Sequence, residues 1–303
     1  MWILYAIGSA FFAGVTSVLA KCGIKKTNSD VATAIRTVVV LLFSWLMVFL
    51  TKAYIPFSEL SGRTICLLIL SGLATGASWL CYFRALQLGD MNKVVPIDKS
   101  STVLTIVIAL VFLHEGISWA KGISVVLIGL GTLLMITKKE GAYKQETLEE
   151  GSLEIGGFKL WCRKNSWAVY AVLSAVFASL TAILGKLGMT DIPSNLGTAI
   201  RTMVVLGMAW IMVFLTGKQG ELKGIAKREL VFILLSGVAT GASWLCYYRA
   251  LQEGPASVVV PIDKLSLLVT IAFSGIVFHE RLTKKATLGL IFITLGTIML
   301  AVL

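Results

Sequence analysis

Sliding the chain against itself by 165 residues aligns 2–138 with 167–303 without a gap, and roughly 59 of about 137 paired positions are identical. Lys21 meets Lys186, TAIRT at 33–37 meets 198–202, and ATGASWLCY at 74–82 meets 239–247. Each copy holds five mainly apolar stretches, near 2–22, 31–51, 64–88, 93–113 and 119–137, then 167–187, 196–216, 229–253, 258–278 and 285–303. A spanning helix needs about 20 such residues, so ten spans are predicted. Five is odd, so the second copy must enter the membrane from the opposite side. The expected fold is therefore an all-α integral membrane protein, with ten transmembrane helices arranged as two inverted-topology five-helix repeats. The boundaries read as 1–138 for the first repeat, 139–166 for a polar linker and 167–303 for the second repeat.

Composition agrees: 57% of residues are hydrophobic, 14% are charged and mean hydropathy is +0.87, outside the range of soluble domains. A net charge of +11 suggests nucleic acid in a soluble protein. Here the lysines and arginines sit mostly in short segments between apolar runs, where they set topology and meet anionic headgroups, so no nucleic-acid partner is expected. Lys21, Lys25, Lys26, Lys93, the linker cations, Lys218, Lys223, Lys227, Arg228, Arg281, Lys284 and Lys285 follow odd-numbered spans; the other side has Lys52, Arg63, Lys121 and Lys186. This bias puts both termini outside. The N-terminus lacks a basic leader and reads as a retained first span. Five cysteines without metal-type spacing support neither a disulfide framework nor a zinc site.

Charge inside the spans is the functional signal. Arg36 lies about five residues into the second span, Arg84 about five before the end of the third, and Asp98 and Lys99 a similar distance into the fourth; at 1.5 Å per residue all are roughly 7 Å below one membrane face. A charge in lipid costs at least about 3 kcal/mol, so such groups pair or line a wet cavity. Arg84 and Asp98, on adjacent antiparallel helices joined by LGDMNK, are natural partners, which leaves Arg36 and Lys99 in want of an anion. Lipid phosphate, snorkelling to the headgroups or a substrate anion could each supply the balance. The set recurs as Arg201, Arg249, Asp263 and Lys264, which inversion places near the opposite face.

Pro96 and Pro261 fall about four residues into helices capped by Asn92 and Ser257, where a proline removes a backbone bond; a hinge and a plain helix start are both open readings. Trp79 with Tyr82, and Trp244 with Tyr247, stand at i, i+3 spacing toward the charged layer, as an aromatic cavity wall or as ordinary bundle packing. Gly72-xxx-Gly76 and Gly237-xxx-Gly241 permit close helix contact. His114-Glu115 and His279-Glu280 end the fourth and ninth spans, in the headgroup layer. There is no HExxH, nucleophile elbow or Walker loop, so no catalytic residue, cofactor or metal is expected.

The paired five-helix halves, each with a proline early in the fourth helix and a glutamate at its end (Glu115, Glu280), resemble the EamA family of the drug/metabolite transporter superfamily. The TGASWLCYxRALQ and VVPIDK stretches resemble a branch whose members are often single five-helix halves, and this chain resembles their fused form. The resemblance implies a multi-pass inner-membrane secondary transporter, commonly an exporter of amino acids, metabolites or drugs, with a central cavity between the halves. It also implies cytoplasmic termini, from which the loop charges of this chain depart. The partners expected are a small-molecule substrate, membrane lipid and a proton or counter-substrate, in a monomer or homodimer. An anionic or zwitterionic solute is favoured by the surplus buried positive charge; a phosphate-bearing lipid or a cationic or aromatic drug is the alternative.

Overall fold

The computed structural model describes residues 1–23, 27–56, 59–88, 94, 97–98, 100–113, 118–136, 166–278 and 284–302. The helices are α1 (Trp2–Gly23), α2 (Ser29–Leu50), α3 (Gly62–Leu88), α4 (Ser101–Phe112), α5 (Trp119–Ile136), α6 (Ser166–Gly188), α7 (Ser194–Leu215), α8 (Lys227–Glu253), α9 (Ala256–Lys264), α10 (Ser266–Phe278) and α11 (Lys284–Val302). A 3-10 segment, Lys218–Gly224, joins α7 to α8. Val94, Ile97 and Asp98 are also helical, and no strand occurs among the described residues. Eight stretches are long and apolar enough to cross a membrane, counting Ala256–Phe273 as one, and two shorter apolar helices, Ser101–Phe112 and Trp119–Leu134, accompany them. This is the expected ten-helix membrane fold. The linker, Asn92, Pro96, Lys99 and both His-Glu pairs lie outside the described residues.

Helix ends follow local chemistry. The Asn28 side chain caps α2 by accepting from the Asp30 amide at 2.9 Å. Within the spans, Thr37, Ser44, Thr198 and Thr202 donate to carbonyls four residues back, so these hydroxyls are satisfied without water. Ser257 does not cap the ninth span: Pro255 is the N-cap and Ala256 the first helical residue. A proline is suited to this place because its ring presets φ and the missing amide proton would have no helical acceptor. Pro261 is thus the sixth residue of α9, and the interruption falls later, at the Leu265 turn between α9 and α10.

The order of contacts fixes the sense of each helix. Ser9, Thr16 and Gly23 of α1 meet Ser243, Thr240 and Ile233 of α8, so these helices are antiparallel. Their repeat mates α6 and α3 are antiparallel too, through Thr181 with Ser71 and Ser174 with Ser78. Asp30 at the start of α2 pairs with Lys218 just beyond α7, and Asn195 at the start of α7 bonds Thr51 just beyond α2. Equivalent helices α2 and α7 therefore run in opposite directions, which requires inverted insertion of the two copies. The main packed pairs, α3 with α6, α1 with α8, α5 with α11 and α2 with α7, all join one copy to the other. The repeats interdigitate around a core that includes Leu196, Ile200, Leu251 and Val259, while Leu42, Leu46, Phe49 and Leu133 face outward to lipid.

Candidate functional site

Arg201 is the largest fully buried side chain among the described residues. It sits two turns into α7 and is only 1% exposed. Its placement depends on Gly72 of α3, where an added Cβ would lie 3.0 Å from the Arg201 carbonyl and 2.7 Å from Val204. The small residue brings α7 onto α3. The guanidinium then donates through Nη2 to Thr75 Oγ1 at 2.7 Å and through Nε to Ser71 Oγ at 3.4 Å. Both hydroxyls pass their own protons to backbone oxygens, Ser71 to Thr181 and Thr75 to Ser71, so their lone pairs face the arginine. From α8 the ring of Tyr248 lies 4.4 Å and that of Trp244 5.1 Å from the guanidinium carbon, within cation–π range. Nη1 is buried with no hydrogen-bond partner.

The intramembrane aspartates occupy two matching clusters. Ser9 of α1 donates to Asp263 Oδ1 at 2.7 Å, with Ser243 of α8 3.3 Å from the Ser9 hydroxyl and bonded to the Ser9 carbonyl at 3.1 Å. Ser174 of α6 donates to Asp98 Oδ1 at 2.7 Å, with Ser78 of α3 3.3 Å from the Ser174 hydroxyl and bonded to the Ser174 carbonyl at 3.0 Å. Each cluster ties the fourth span of one copy to the first span of the other.

The EamA-like transporter family model matches residues 1–137 and 165–302, nearly the whole chain in two copies. The chain belongs to the EamA-like transporter family. An uncharacterized transporter from the cobO 3′ region of a Sinorhizobium species is 47% identical over 138 residues, which is 46% of this chain and 98% of that relative. An uncharacterized protein of Methanocaldococcus jannaschii is 33% identical over 76 residues, covering 25% of this chain and 56% of its own. A solved crystal structure superposes with a TM-score of 0.77 at 11% identity, covering 98% of this chain and 97% of that one, a likeness of fold.

In this EamA transporter the remaining predicted positions separate. Arg249 does not pair with Asp263: its Nε is 2.6 Å from Glu253, one turn on, and its side chain is 44% exposed. A nearby exposed carboxylate on the same helix reaches it with no desolvation, whereas Asp263 is held by Ser9 across the copy interface. Arg84 is exposed and Asp98 is half-buried on Ser174. Arg36 and Lys264 are half-buried, and neither has a hydrogen bond or ion pair among the described residues. Trp79 packs beside Val31, Ala34, Ala209 and Val213; Tyr82 packs with Ala85, Val94, Trp167 and Tyr170. Tyr247 turns its ring to the edge of Tyr248, centroids 5.1 Å apart. The pair facing Arg201 is thus Trp244 with Tyr248, spaced i, i+4, and not Trp244 with Tyr247. Tyr248 escaped the repeat-based reading because its mate is Phe83; that mismatch inside an otherwise identical stretch was the available signal. The serines were legible only as small residues kept in both copies.

Proposed function

We propose that this EamA transporter moves a small organic anion or zwitterion, with amino acids first among the candidates, by alternating access between its inverted halves. Export is the direction the family resemblance implies. One observation carries the reading: among the described residues the buried Arg201 guanidinium meets hydroxyls and ring faces but no carboxylate, and its Nη1 has no hydrogen-bond partner. A permanently charged group in a low-dielectric interior is costly without an opposing charge. A carboxylate on the solute supplies that charge, and an apolar or aromatic solute body is compatible with the Trp244 and Tyr248 faces. Arg36 and Lys264 add positive potential without a carboxylate partner among the described residues, which supports the same sign of guest.

Transport of labelled amino acids and organic acids into proteoliposomes tests this. Arg201→Gln should weaken the apparent affinity for the transported solute by about 10- to 100-fold, the worth of a charge-assisted hydrogen bond. Lys99→Ala combined with Lys264→Ala should abolish transport in a folded protein. Unchanged transport in both variants would reject the anion reading.

A crevice of about 430 Å³ favours a second reading. It lies between α4, α5 and α6, lined by Ile97, Leu104, Val107, Leu133, Val172 and neighbours, of which Val107, Leu133 and Val172 face lipid. Such a side opening suits the tail of a phosphate-bearing lipid. Thermal stabilisation by a short-chain phospholipid, with none from amino acids, would favour flipping over solute export.

A further inference from the structure

We infer that the molecule carries a second arginine cradle, built from Ser236 and Thr240 of α8, which receives Arg36 when the opposite face closes, so that the anion contact passes between Arg201 and Arg36. The inference rests on the proposed transport for its purpose but not for its test. Both arginines are the eighth residue of their helix, Arg201 in α7 and Arg36 in α2. At 1.5 Å per residue each lies about 10 Å from the start of its helix, and inversion puts those starts at opposite faces. The backbone around them is the same. A Cβ at Gly72 would meet Val204 at 2.7 Å and the Arg201 carbonyl at 3.0 Å, and a Cβ at Gly237 would meet Val39 at 2.7 Å and the Arg36 carbonyl at 3.1 Å. Helix α2 therefore lies on α8 as α7 lies on α3.

The hydroxyls repeat as well. Ser236 is buried and donates to the Ile233 carbonyl at 2.8 Å, and Thr240 donates to the Ser236 carbonyl at 2.7 Å, so each keeps lone pairs for a cation. They are the repeat mates of Ser71 and Thr75, which hold Arg201. In the sequence Trp79 corresponds to Trp244 and Phe83 to Tyr248, so both aromatic positions recur. The arginines themselves differ. Arg201 is docked on its hydroxyls, whereas Arg36 is half-buried and makes no hydrogen bond to Ser236, Thr240 or any other described residue. The docked arginine stands at an end that is held shut. Gln252, in the last turn of α8, donates from Nε2 to the Met189 and Ile192 carbonyls between α6 and α7 at 2.6 Å each, and Lys186 donates to the Gly254 carbonyl at 2.6 Å. Two copies of one structural unit inserted in opposite senses can exchange conformations, at a cost set by their sequence differences. After that exchange Arg36 occupies the α8 cradle at a closed end, and Arg201 leaves the hydroxyls of α3. Whichever arginine is docked forms the closed floor on which a solute carboxylate rests.

Distances between spin labels on the full chain, free of its native cysteines and held in nanodiscs, read the exchange without any solute. Exposed positions serve for the labels: Asp191 with Glu253 across the Arg201 end, and Ser29 with Arg228 across the Arg36 end. The wild type should favour short distances at the Arg201 end. Thr75→Val, which removes a hydroxyl from the occupied cradle, should shift the population about tenfold toward long distances there and short ones at the Arg36 end, and Arg201→Gln should do the same. Adding Thr240→Val to Thr75→Val should return the distribution toward that of the wild type, because the cradle that receives Arg36 is then weakened equally. Arg36 does not touch Thr240 in this structure, so a purely structural role for Arg201 leaves the second substitution without effect on the distances. Distances unmoved by Thr75→Val and Arg201→Gln, or a Thr240→Val that fails to reverse Thr75→Val, would overturn the exchange. A clear reversal in a protein that transports no acid or amino acid would reject the proposed function and leave the exchange of arginines standing.

Discussion

At the scale of single residues, backbone geometry and side-chain charge make separate demands. Lys52 takes φ of 51° just past α2, where its repeat mate Gly217 takes φ of 67° just past α7. The turn is a C-terminal cap in which the Lys52 and Ala53 amides donate to the Phe49 and Val48 carbonyls. A left-handed residue with a Cβ is strained, so Lys52→Gly should raise thermal stability by about 1 kcal/mol, read from melting in detergent. A drop in melting temperature would show that the lysine side chain contributes more than its backbone costs. Arg201 is the opposite case: its position is ordinary for a helix, and its cost lies in a charge shielded by two hydroxyls and two rings.

Among elements, glycines distinguish helix contacts from lipid-facing surface. A Cβ at Gly72 would stand 2.7 Å from Val204 and 3.0 Å from a backbone oxygen of α7, and one at Gly131 would stand 2.6 Å from the Gly289 carbonyl of α11. Backbone cannot yield cheaply at such distances. Gly72→Ala and Gly131→Ala should each destabilise by about 1–3 kcal/mol, and Gly72→Ala should also disturb Arg201. Nothing lies within 4 Å of a Cβ at Gly207. Gly207→Ala should therefore be neutral or stabilising by up to about 1 kcal/mol through helix propensity. Equal losses at all three sites, in thermal unfolding, would contradict this division.

For the whole molecule, the interdigitated packing predicts which parts move together. The Ser78 and Ser174 hydroxyls are 3.3 Å apart across α3 and α6, and each helix belongs to a different repeat. In a background free of the native cysteines, Ser78→Cys with Ser174→Cys should form a disulfide that holds the two repeats together after the linker is cut, visible as an uncleaved band on a non-reducing gel. Two repeats that merely sit side by side would separate. The pairing also means that α3 and α6, or α1 and α8, cannot part without breaking hydroxyl bonds along their length, and each of these pairs joins one copy to the other.

The sequence alone determined the number of spans, the repeat and its inversion, because spanning length, apolar composition and parity are properties of the chain read in order. It also marked Arg36, Arg201, Asp98 and Asp263, since charge within an apolar run stands out whatever surrounds it. Partnership was decided by the tertiary structure. The expected match of Arg249 with Asp263 rested on nearness along a hairpin, yet Glu253 takes the arginine and Ser9, more than 250 positions away in sequence, takes the aspartate. Hydroxyls were invisible as partners because serine and threonine in a membrane helix read first as small packing residues. Only the crossing of α1 with α8, and of α3 with α6 and α7, turned them toward the buried charges.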